Sequence, residues 1–233
     1  MDYTKYDILD SFVSKKYNEI KPKNFQDLFI KCPYYDFHIF SKIMAWNIEN
    51  LIINKNVIHA MTYNNLNVNY SYLNFSQNNP KYFFTDGGYS QKRQYVSASI
   101  ILNEDFTLHT IIVGHANIIK QDSLFHEKMP FLLTEYHIKQ INLPFNDMMW
   151  FTDLELRYCL KFLKDYNDLI VFCNYKKDCN FSNIFYIDGI CDSITKSNSL
   201  KRFFCKERKY IRRQGNYEIT YNKKTKFLKH KQQ

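Results

Sequence analysis

Two aspartates occupy the same local setting at two distant places in the sequence. Asp86 ends the segment KYFFTD and Asp153 ends NDMMWFTD, so each follows a threonine at the end of an aromatic-rich, strand-like run. Two carboxylates that meet at one edge of a sheet repel each other unless a cation lies between them, and hard oxygen ligands suit Mg²⁺ or Mn²⁺. Two such metal ions, bound side by side, support in-line attack on a phosphodiester. We therefore predict Asp86 and Asp153 as metal ligands and catalytic residues for nucleotidyl transfer or hydrolysis.

Each aspartate also has a purely structural interpretation. Asp86 precedes Gly87 and Gly88, and Asp before Gly-Gly is typical of a turn because Gly adopts positive φ angles. Asp153 precedes the helix-like segment LELRYCLKFLKDY, where Asp is favoured as an N-cap. The shared TD setting favours paired ligands over two unrelated structural roles.

A third carboxylate would complete the predicted site, and no motif selects it. Glu155 lies beside the second aspartate in the sequence and is our predicted third catalytic residue, with Asp188 as its direct alternative. The full set of candidates is Glu155, Asp188, Asp192, Glu207 and Glu218.

The segments between residues 81 and 175 predict the order of elements that positions the two aspartates. Three strand-like runs come first, followed by a helix, a strand, a helix and a strand. In the ribonuclease H type of sheet, this order lays the fourth strand beside the first and parallel to it, and α/β sheets gather ligands at such strand ends. We predict an α/β, RNase H-like fold with a mixed five-stranded sheet and flanking helices. The segments are KYFFTD, QYVSASIIL, TLHTIIVG, HEKMPFLLTEYHIKQ, NDMMWFTD, LELRYCLKFLKDY and NDLIVFCNY.

The chain divides into three predicted regions. Residues 1–79 form a helical N-terminal region, because YDILDSFVSKKYNEI and FHIFSKIMAWNIENLIINKNVIHAM carry apolar residues at helical spacing. The Asn-rich stretch that ends at Pro80 is predicted as a connector. Residues 80–195 form the RNase H-like core, and 196–233 form a basic C-terminal extension.

Positive charge is concentrated in this extension. Residues 196–233 contain 13 Lys or Arg against two Glu, whereas the first 195 residues carry 19 basic and 21 acidic groups. Cations interleaved with Phe and Tyr contact phosphates and stack on bases, so we predict nucleic acid, most directly DNA, as a partner. A solubilising tail is the alternative. The predicted nucleic-acid-binding residues are Lys201, Arg202, Lys206, Arg208, Lys209, Arg212, Arg213, Lys223 and Lys224.

Other sequence features indicate where in the cell the protein is expected. The sequence contains no apolar run long enough to span a membrane and no signal-peptide pattern at its start. Six cysteines without a C-x-x-C pair indicate reduced thiols. We expect a soluble intracellular protein, nuclear if the source is eukaryotic, with no membrane partner; homo-oligomerisation is left open.

The histidines offer weaker candidates. His109 lies in the third predicted strand, where a half-buried sheet residue is the usual role. His115 and His126 flank a loop near the predicted edge and could approach a substrate phosphate.

The ordered segments resemble the catalytic core of hAT-type DNA transposases. YFFTDGGYSQKRQYVSASIILNEDFTLHTIIVG is similar to the opening of that core, and LLTEYHIKQ followed by MMWFTD is similar to its helix and second catalytic strand. VFCNY resembles the strand that carries a Cys-x-x-His element, and DGICDSITKSNSLKRFF resembles the segment that leads towards the family's helical insertion. The likeness covers roughly residues 80–205, and Mutator-like transposases share much of it.

This resemblance implies cut-and-paste transposase ancestry, with Asp86 and Asp153 as the first two acids of the catalytic triad. The chain departs from the family pattern at Gly88, where an aromatic residue is expected, and at Lys176, where the Cys-x-x-His element would close. It also has neither a long helical insertion followed by a glutamate nor an N-terminal zinc finger. We therefore expect a transposase-derived, nucleic-acid-binding protein that has adapted or lost metal-dependent strand cleavage. The alternatives are a stand-alone RNase H-like nuclease and a non-catalytic nucleic-acid- or protein-binding module.

Overall fold

The computed structural model describes a mixed α/β domain. The described residues are 37–63, 66–90, 94–117, 123–154, 158–159, 163, 166, 170–173 and 182–212. Within them, the elements in chain order are α1 (Phe37–Lys55), β1 (His59–Tyr63), β2 (Leu66–Asn74), β3 (Pro80–Ser90), β4 (Gln94–Asn103), β5 (Leu108–Asn117), α2 (Ser123–Gln140), β6 (Met149–Thr152), β7 (Ile170–Cys173), α3 (Ser182–Thr195) and α4 (Asn198–Arg212).

One mixed sheet joins all seven of these strands in the order β1-β2-β5-β4-β3-β6-β7. The strands β1 to β5 pair antiparallel with their neighbours, whereas β6 pairs parallel with β3 and with β7. The predicted placement of the fourth core strand beside the first, and parallel to it, is therefore confirmed. The prediction of five strands is wrong in number, because β1 and β2 extend the sheet beyond β5.

The two extra strands lie in the region predicted to be helical or connecting. Helix α1 ends at Lys55, and Asn56 adopts a left-handed conformation with φ 54° while its N–H donates to the carbonyl of Ile52, as at many helix C-termini. The chain then enters β1. In β2, LNVNYSYLN, apolar and polar residues alternate, and this is the period of a half-buried strand.

Helices cover both faces of the sheet. Helix α2 packs on one face, against β3, β4 and β5, while α1, α3 and α4 pack on the other. The in-register pairs of β3 and β6 show the alternation directly: Phe83 stacks on Trp150 in the α2 layer, and Phe84 stacks on Phe151 in the opposite layer. The first pair has ring centroids 6.1 Å apart, and the second pair 4.6 Å apart. Alternate residues of both strands therefore face opposite layers, which fixes where polar residues further along the strands must lie.

The Asp-Gly-Gly sequence does not form a turn. Strand β3 continues through it to Ser90, and β4 pairs with β3 along that extension. Gly87 and Gly88 instead allow the helices of the two faces to approach the strand. A Cβ at Gly87 would overlap the backbone oxygen of His126 in α2, and a Cβ at Gly88 would lie 2.8 Å from the backbone oxygen of Thr195 in α3.

Pro130 explains the close approach of α2. Helix α2 begins at Ser123, and Pro130 lies inside it rather than in its first turn. A proline has no N–H to donate to the carbonyl four residues earlier, which here belongs to His126. The buried hydroxyl of Tyr95 in β4 donates a hydrogen bond to that carbonyl instead. This bond ties the first half of α2 to the centre of the sheet.

A cluster of basic and aromatic side chains packs between α2 and the β1–β2 extension. The His137 ring lies 4.4 Å from the Tyr72 ring, and His59 stacks on the same tyrosine. Burial, together with the nearby His109, His59 and Lys55, lowers the pKa of His137 to about 4. Its Nε2 atom has no hydrogen-bond partner among the described residues. The neutral imidazole is thus the form that the fold accommodates.

We expect this histidine to weaken the fold in mild acid. Between pH 6.5 and about 4 the unfolded chain binds a proton at His137 that the folded chain does not, so stability falls as pH falls through that window. The loss is at most about 3 kcal/mol. His137→Leu removes the titrating group, so the difference between variant and wild-type unfolding free energies should grow in favour of the variant from pH 7 to pH 4. If urea titrations give the same difference in unfolding free energy between variant and wild type at every pH, this prediction is wrong.

Candidate active site

The register of β3 and β6 brings the two predicted aspartates together. The last in-register pair of this parallel ladder is Phe84 with Phe151, and an aspartate follows two residues after each of them, Asp86 and Asp153. Neighbouring strands are about 4.8 Å apart. The two carboxylates interact electrostatically. Asp86 is half-buried within β3, and Asp153 is exposed just beyond the end of β6.

Helix α3 brings two further aspartates to the same place. Asp188 and Asp192 are one helical turn apart, and both interact electrostatically with Asp86. The Thr195 hydroxyl, from the last turn of α3, lies 2.8 Å from Asp86 Oδ2 and donates to it. Asp192 is partly exposed and pairs with Lys196, with 2.5 Å between Oδ2 and Nζ. Of the two aspartates, Asp192 contributes more to raising the pKa of Asp86.

Glu127 reaches the aspartates from the opposite face of the sheet. It is buried at the start of α2, and its Oε2 atom accepts hydrogen bonds from Thr152 (2.9 Å) and Thr85 (3.3 Å). These threonines directly precede the two aspartates, so strand alternation turns them towards α2 and the aspartates towards α3. The Thr85 hydroxyl also accepts a hydrogen bond of 2.8 Å from Trp150 Nε1. In each TD dipeptide the threonine therefore binds Glu127 on one face of the sheet, and the aspartate faces the acids of α3 on the other.

Burial and neighbouring negative charges raise the pKa of two of these carboxyl groups. Burial, followed by the charges of Asp86 and Asp153, raises the pKa of Glu127 well above its ordinary value. Burial also raises the pKa of Asp86 to about 6, against a lowering effect of the Thr195 hydrogen bond; the charges of Asp153, Asp192 and Asp188 add to the rise. Without a counter-ion, the fold holds this group of acids at an energetic cost.

The chemistry of the donors suits a hard divalent cation. Every acidic group here offers carboxylate oxygens, the ligands that Mg²⁺ and Mn²⁺ prefer. In the described part of the chain, no three His, Cys, Asp or Glu side chains lie close enough together to form a metal site as they stand. Asp86 is engaged by Thr195 and Asp192 by Lys196.

Several predicted site residues fall elsewhere. Glu155 lies outside the described residues, as do Arg213, Lys223 and Lys224. The backbone alone is described for the part of α4 that contains Lys206, Arg208, Lys209 and Arg212. Arg202 is exposed, whereas Lys201 is 9 % exposed and burial lowers its pKa. We therefore remove Lys201 from the proposed nucleic-acid surface.

Glu127 is the site residue that the sequence analysis missed. It lies within the predicted helix HEKMPFLLTEYHIKQ, where a single glutamate is indistinguishable from a solvated surface residue. Asp188 and Asp192 were candidates without a position, although their spacing of four on one helix was a usable signal. Only the pairing of β3 with β6 shows that all three helical acids converge on one strand end.

The histidines near the predicted loop take different roles. His115 is 1 % exposed and lies under α4, with its ring stacked on Phe204, so it does not face a phosphate. His126 is half-buried and stacks on Tyr89 and Tyr95, directly before Glu127. His109 is buried, and its Nε2 lies 2.9 Å from the backbone oxygen of Asn78.

Comparisons with protein-family models, curated proteins and solved structures give no match for this chain. None of the helices in the described ranges is both long enough and apolar enough to cross a membrane.

Proposed function

We propose that this chain is an RNase H-like, metal-dependent nuclease whose site consists of Asp86, Asp153, Asp192 and Glu127. The observation that carries the proposal is the convergence of these carboxylates on the end of the β3–β6 pairing, from two strands and from helices on both faces. Structural ion pairs place acids beside bases. Burial and neighbouring carboxylates raise the pKa of Asp86 and Glu127, and we take a cation that the site binds as the better explanation of such an acidic group.

The order of elements supports the RNase H-like assignment. The segment β5-β4-β3-β6-β7 of the sheet has three antiparallel strands followed by two parallel ones, with α2 between β5 and β6 in the chain. Asp86 belongs to β3 and Asp153 follows β6, which are the first and fourth strands of this segment in chain order. Glu127 belongs to α2, and Asp192 belongs to α3, the helix after β7. The strands β1 and β2 add to the edge beside β5, away from the acids.

A stand-alone nuclease fits the chain better than a transposase. Eight residues separate the end of β7 at Cys173 from the start of α3 at Ser182, and α3 already supplies Asp188 and Asp192. A long helical insertion before the third acid is therefore not needed to complete the site. The transposase ancestry implied by the sequence resemblance stays a prediction, and loss of activity in a binding module is the other alternative.

The side chains have distinct roles in this proposal. Asp86 and Asp153 supply carboxylate oxygens from fixed backbone positions, and Thr195 holds one oxygen of Asp86 in place. Asp192 joins them from α3, and Glu127 is held by the two threonine hydroxyls. Divalent cations bound by these acids would supply an activated water and neutralise the charge of the scissile phosphate.

The polymer substrate is a nucleic acid. Helix α4 and the extension beyond it carry most of the chain's excess positive charge, which suits contact with a phosphate backbone. The assay that tests the proposal incubates the full chain with labelled duplex DNA, single-stranded DNA, RNA and RNA–DNA hybrid, each with Mg²⁺, Mn²⁺ or EDTA. Cleavage of at least one substrate that EDTA abolishes supports the proposal. Failure to cut any of them, despite binding, would favour the non-catalytic module.

The third acid can be assigned by a matched pair of variants. Asp192→Asn should reduce the cleavage rate by about 10²-fold or more, because it removes a metal-binding carboxylate. Asp188→Asn, one turn away on the same helix, should reduce the rate by less than about tenfold, because Asp188 is 8 % exposed and has the weaker effect on Asp86. The reverse ranking in single-turnover rates would move the assignment to Asp188.

A further inference from the structure

We propose that Cys205 is an activated thiol, and therefore a site of modification by peroxides and other soft electrophiles, with His115 as its activating base. The Sγ atom of Cys205 in α4 lies 3.5 Å from Nε2 of His115 in β5. This pair lies on the face of the sheet opposite α2. A thiol beside an imidazole can pass its proton to the ring and remain as a thiolate, which is the reactive form.

The imidazole is fixed in the orientation that this role requires. His115 is 1 % exposed, and its ring stacks on Phe204 with the planes 11° apart and the centroids 5.7 Å apart. Phe204 is itself buried, so the ring is held between the sheet and the helix. Cys205 is only partly buried, in contrast to the buried imidazole beside it.

The sequence around Cys205 is strongly basic. The stretch KRFFCKERKYIR contains six Lys or Arg residues and one Glu, so the cysteine stands in a strongly basic segment. Nearby cations stabilise a thiolate and make it more abundant at neutral pH.

Two other cysteines of the described chain provide an internal comparison. Cys159 and Cys191 are completely buried. Burial and the surrounding carboxylates, with Asp188 first among them, raise the pKa of the Cys191 thiol well above its ordinary value. Cys191 is therefore a structural thiol in an acidic environment, whereas Cys205 combines partial exposure, an adjacent imidazole and a basic segment.

The reaction with hydrogen peroxide balances without a further cofactor. The Cys205 thiolate attacks one peroxide oxygen, an S–O bond forms and the O–O bond breaks. The departing hydroxide takes the proton from the His115 imidazolium and leaves as water. Sulfur is oxidised by two electrons to sulfenic acid, and peroxide is reduced. A second thiol, such as a low-molecular-weight cellular thiol, would then displace water from the sulfenic acid to form a mixed disulfide.

The test is site-resolved labelling of the native full chain. Brief treatment with iodoacetamide at pH 7, followed by quenching and peptide mass spectrometry, should show Cys205 reacting at least about tenfold faster than Cys159 and Cys191. Peroxide with dimedone should trap sulfenic acid at Cys205. Equal rates for the three cysteines would overturn the proposal.

The role of the histidine is tested separately. His115→Gln should slow alkylation of Cys205 about five- to tenfold, while His126→Gln, on the opposite face of the sheet, should leave it unchanged. Should His115→Gln fail to fold, the wild-type pH profile decides. If the alkylation rate of Cys205 rises with pH with a midpoint below that of a free cysteine, about 8.5, activation is supported. A midpoint at or above that value contradicts activation.

Discussion

Asp86→Asn is expected to abolish cleavage and to stabilise the fold at the same time. The Asp86 carboxylate interacts with those of Asp153, Asp188, Asp192 and Glu127, so its loss removes the central ligand of the proposed site. The cleavage rate should fall by on the order of 10³-fold or more. The asparagine oxygen can still accept the Thr195 hydrogen bond, so the local geometry is retained.

The gain in stability follows from the raised pKa of Asp86. A shift from 3.8 in the unfolded chain to about 6 in the fold means that ionisation weakens the folded state as pH rises through that window. The upper limit is about 3 kcal/mol at pH 7, and the partial exposure of the side chain reduces this to about 1–2 kcal/mol. The advantage of the variant should shrink as pH falls and vanish near pH 3.8. Urea unfolding in EDTA at pH 7, 5 and 4 measures it.

Two control variants separate function from stability. Asp153→Asn should lose activity to a similar degree but gain little stability, because that side chain is exposed. Asp147→Asn, exposed and just before β6, should change neither property. An Asp86→Asn protein that is no more stable than wild type at pH 7 would contradict the electrostatic account, and one that retains metal-dependent cleavage would contradict the proposed active site.

Gly87→Ala is expected to be among the most destabilising single-methyl additions available in this chain. The added Cβ would overlap the backbone oxygen of His126 and crowd the Tyr95 hydroxyl that donates to it. Neither group can move cheaply, because one is helix backbone and the other belongs to a completely buried ring. We expect a loss of about 3 kcal/mol or more in unfolding free energy.

Gly189→Ala in α3 is the matched control. Its added Cβ would lie 2.7 Å from Ser41 Oγ and 3.1 Å from Ser41 Cβ, both side-chain atoms, whereas the Cβ at Gly87 would lie 2.0 Å from helix backbone. Alanine also favours a helix over glycine by about 1 kcal/mol, so the loss of stability should be clearly smaller than that of Gly87→Ala. Thermal and urea unfolding of both variants make the comparison. Similar stability for Gly87→Ala and wild type would mean that α2 does not approach β3 as described.

Local patterns predicted much of the sheet. The five core strands were located from their aromatic and β-branched residues, since such runs suit a pleated, half-buried surface. Strand β2 was missed although LNVNYSYLN alternates, because its many asparagines read as loop composition. The glycines after Asp86 suggested a turn, because Asp followed by Gly-Gly is typical of turns. Their actual role, which is to admit helix backbone on both faces of β3, depends on α2 and α3 and has no local signature.

The sequence by itself located both aspartates after strand-forming runs, since the composition that precedes each TD dipeptide is a local property. The structure places Asp86 within β3 rather than at its end, and Asp153 just beyond β6. Tertiary structure alone decided which other acids join them. Glu127, Asp188 and Asp192 are ordinary helix residues until the parallel pairing of β3 with β6 and the packing of α2 and α3 bring them to one strand end. The physical reason is range: strand and helix preferences extend over a few residues, whereas the repulsion that defines this site acts between carboxylates as far apart in the chain as Asp86 and Asp192.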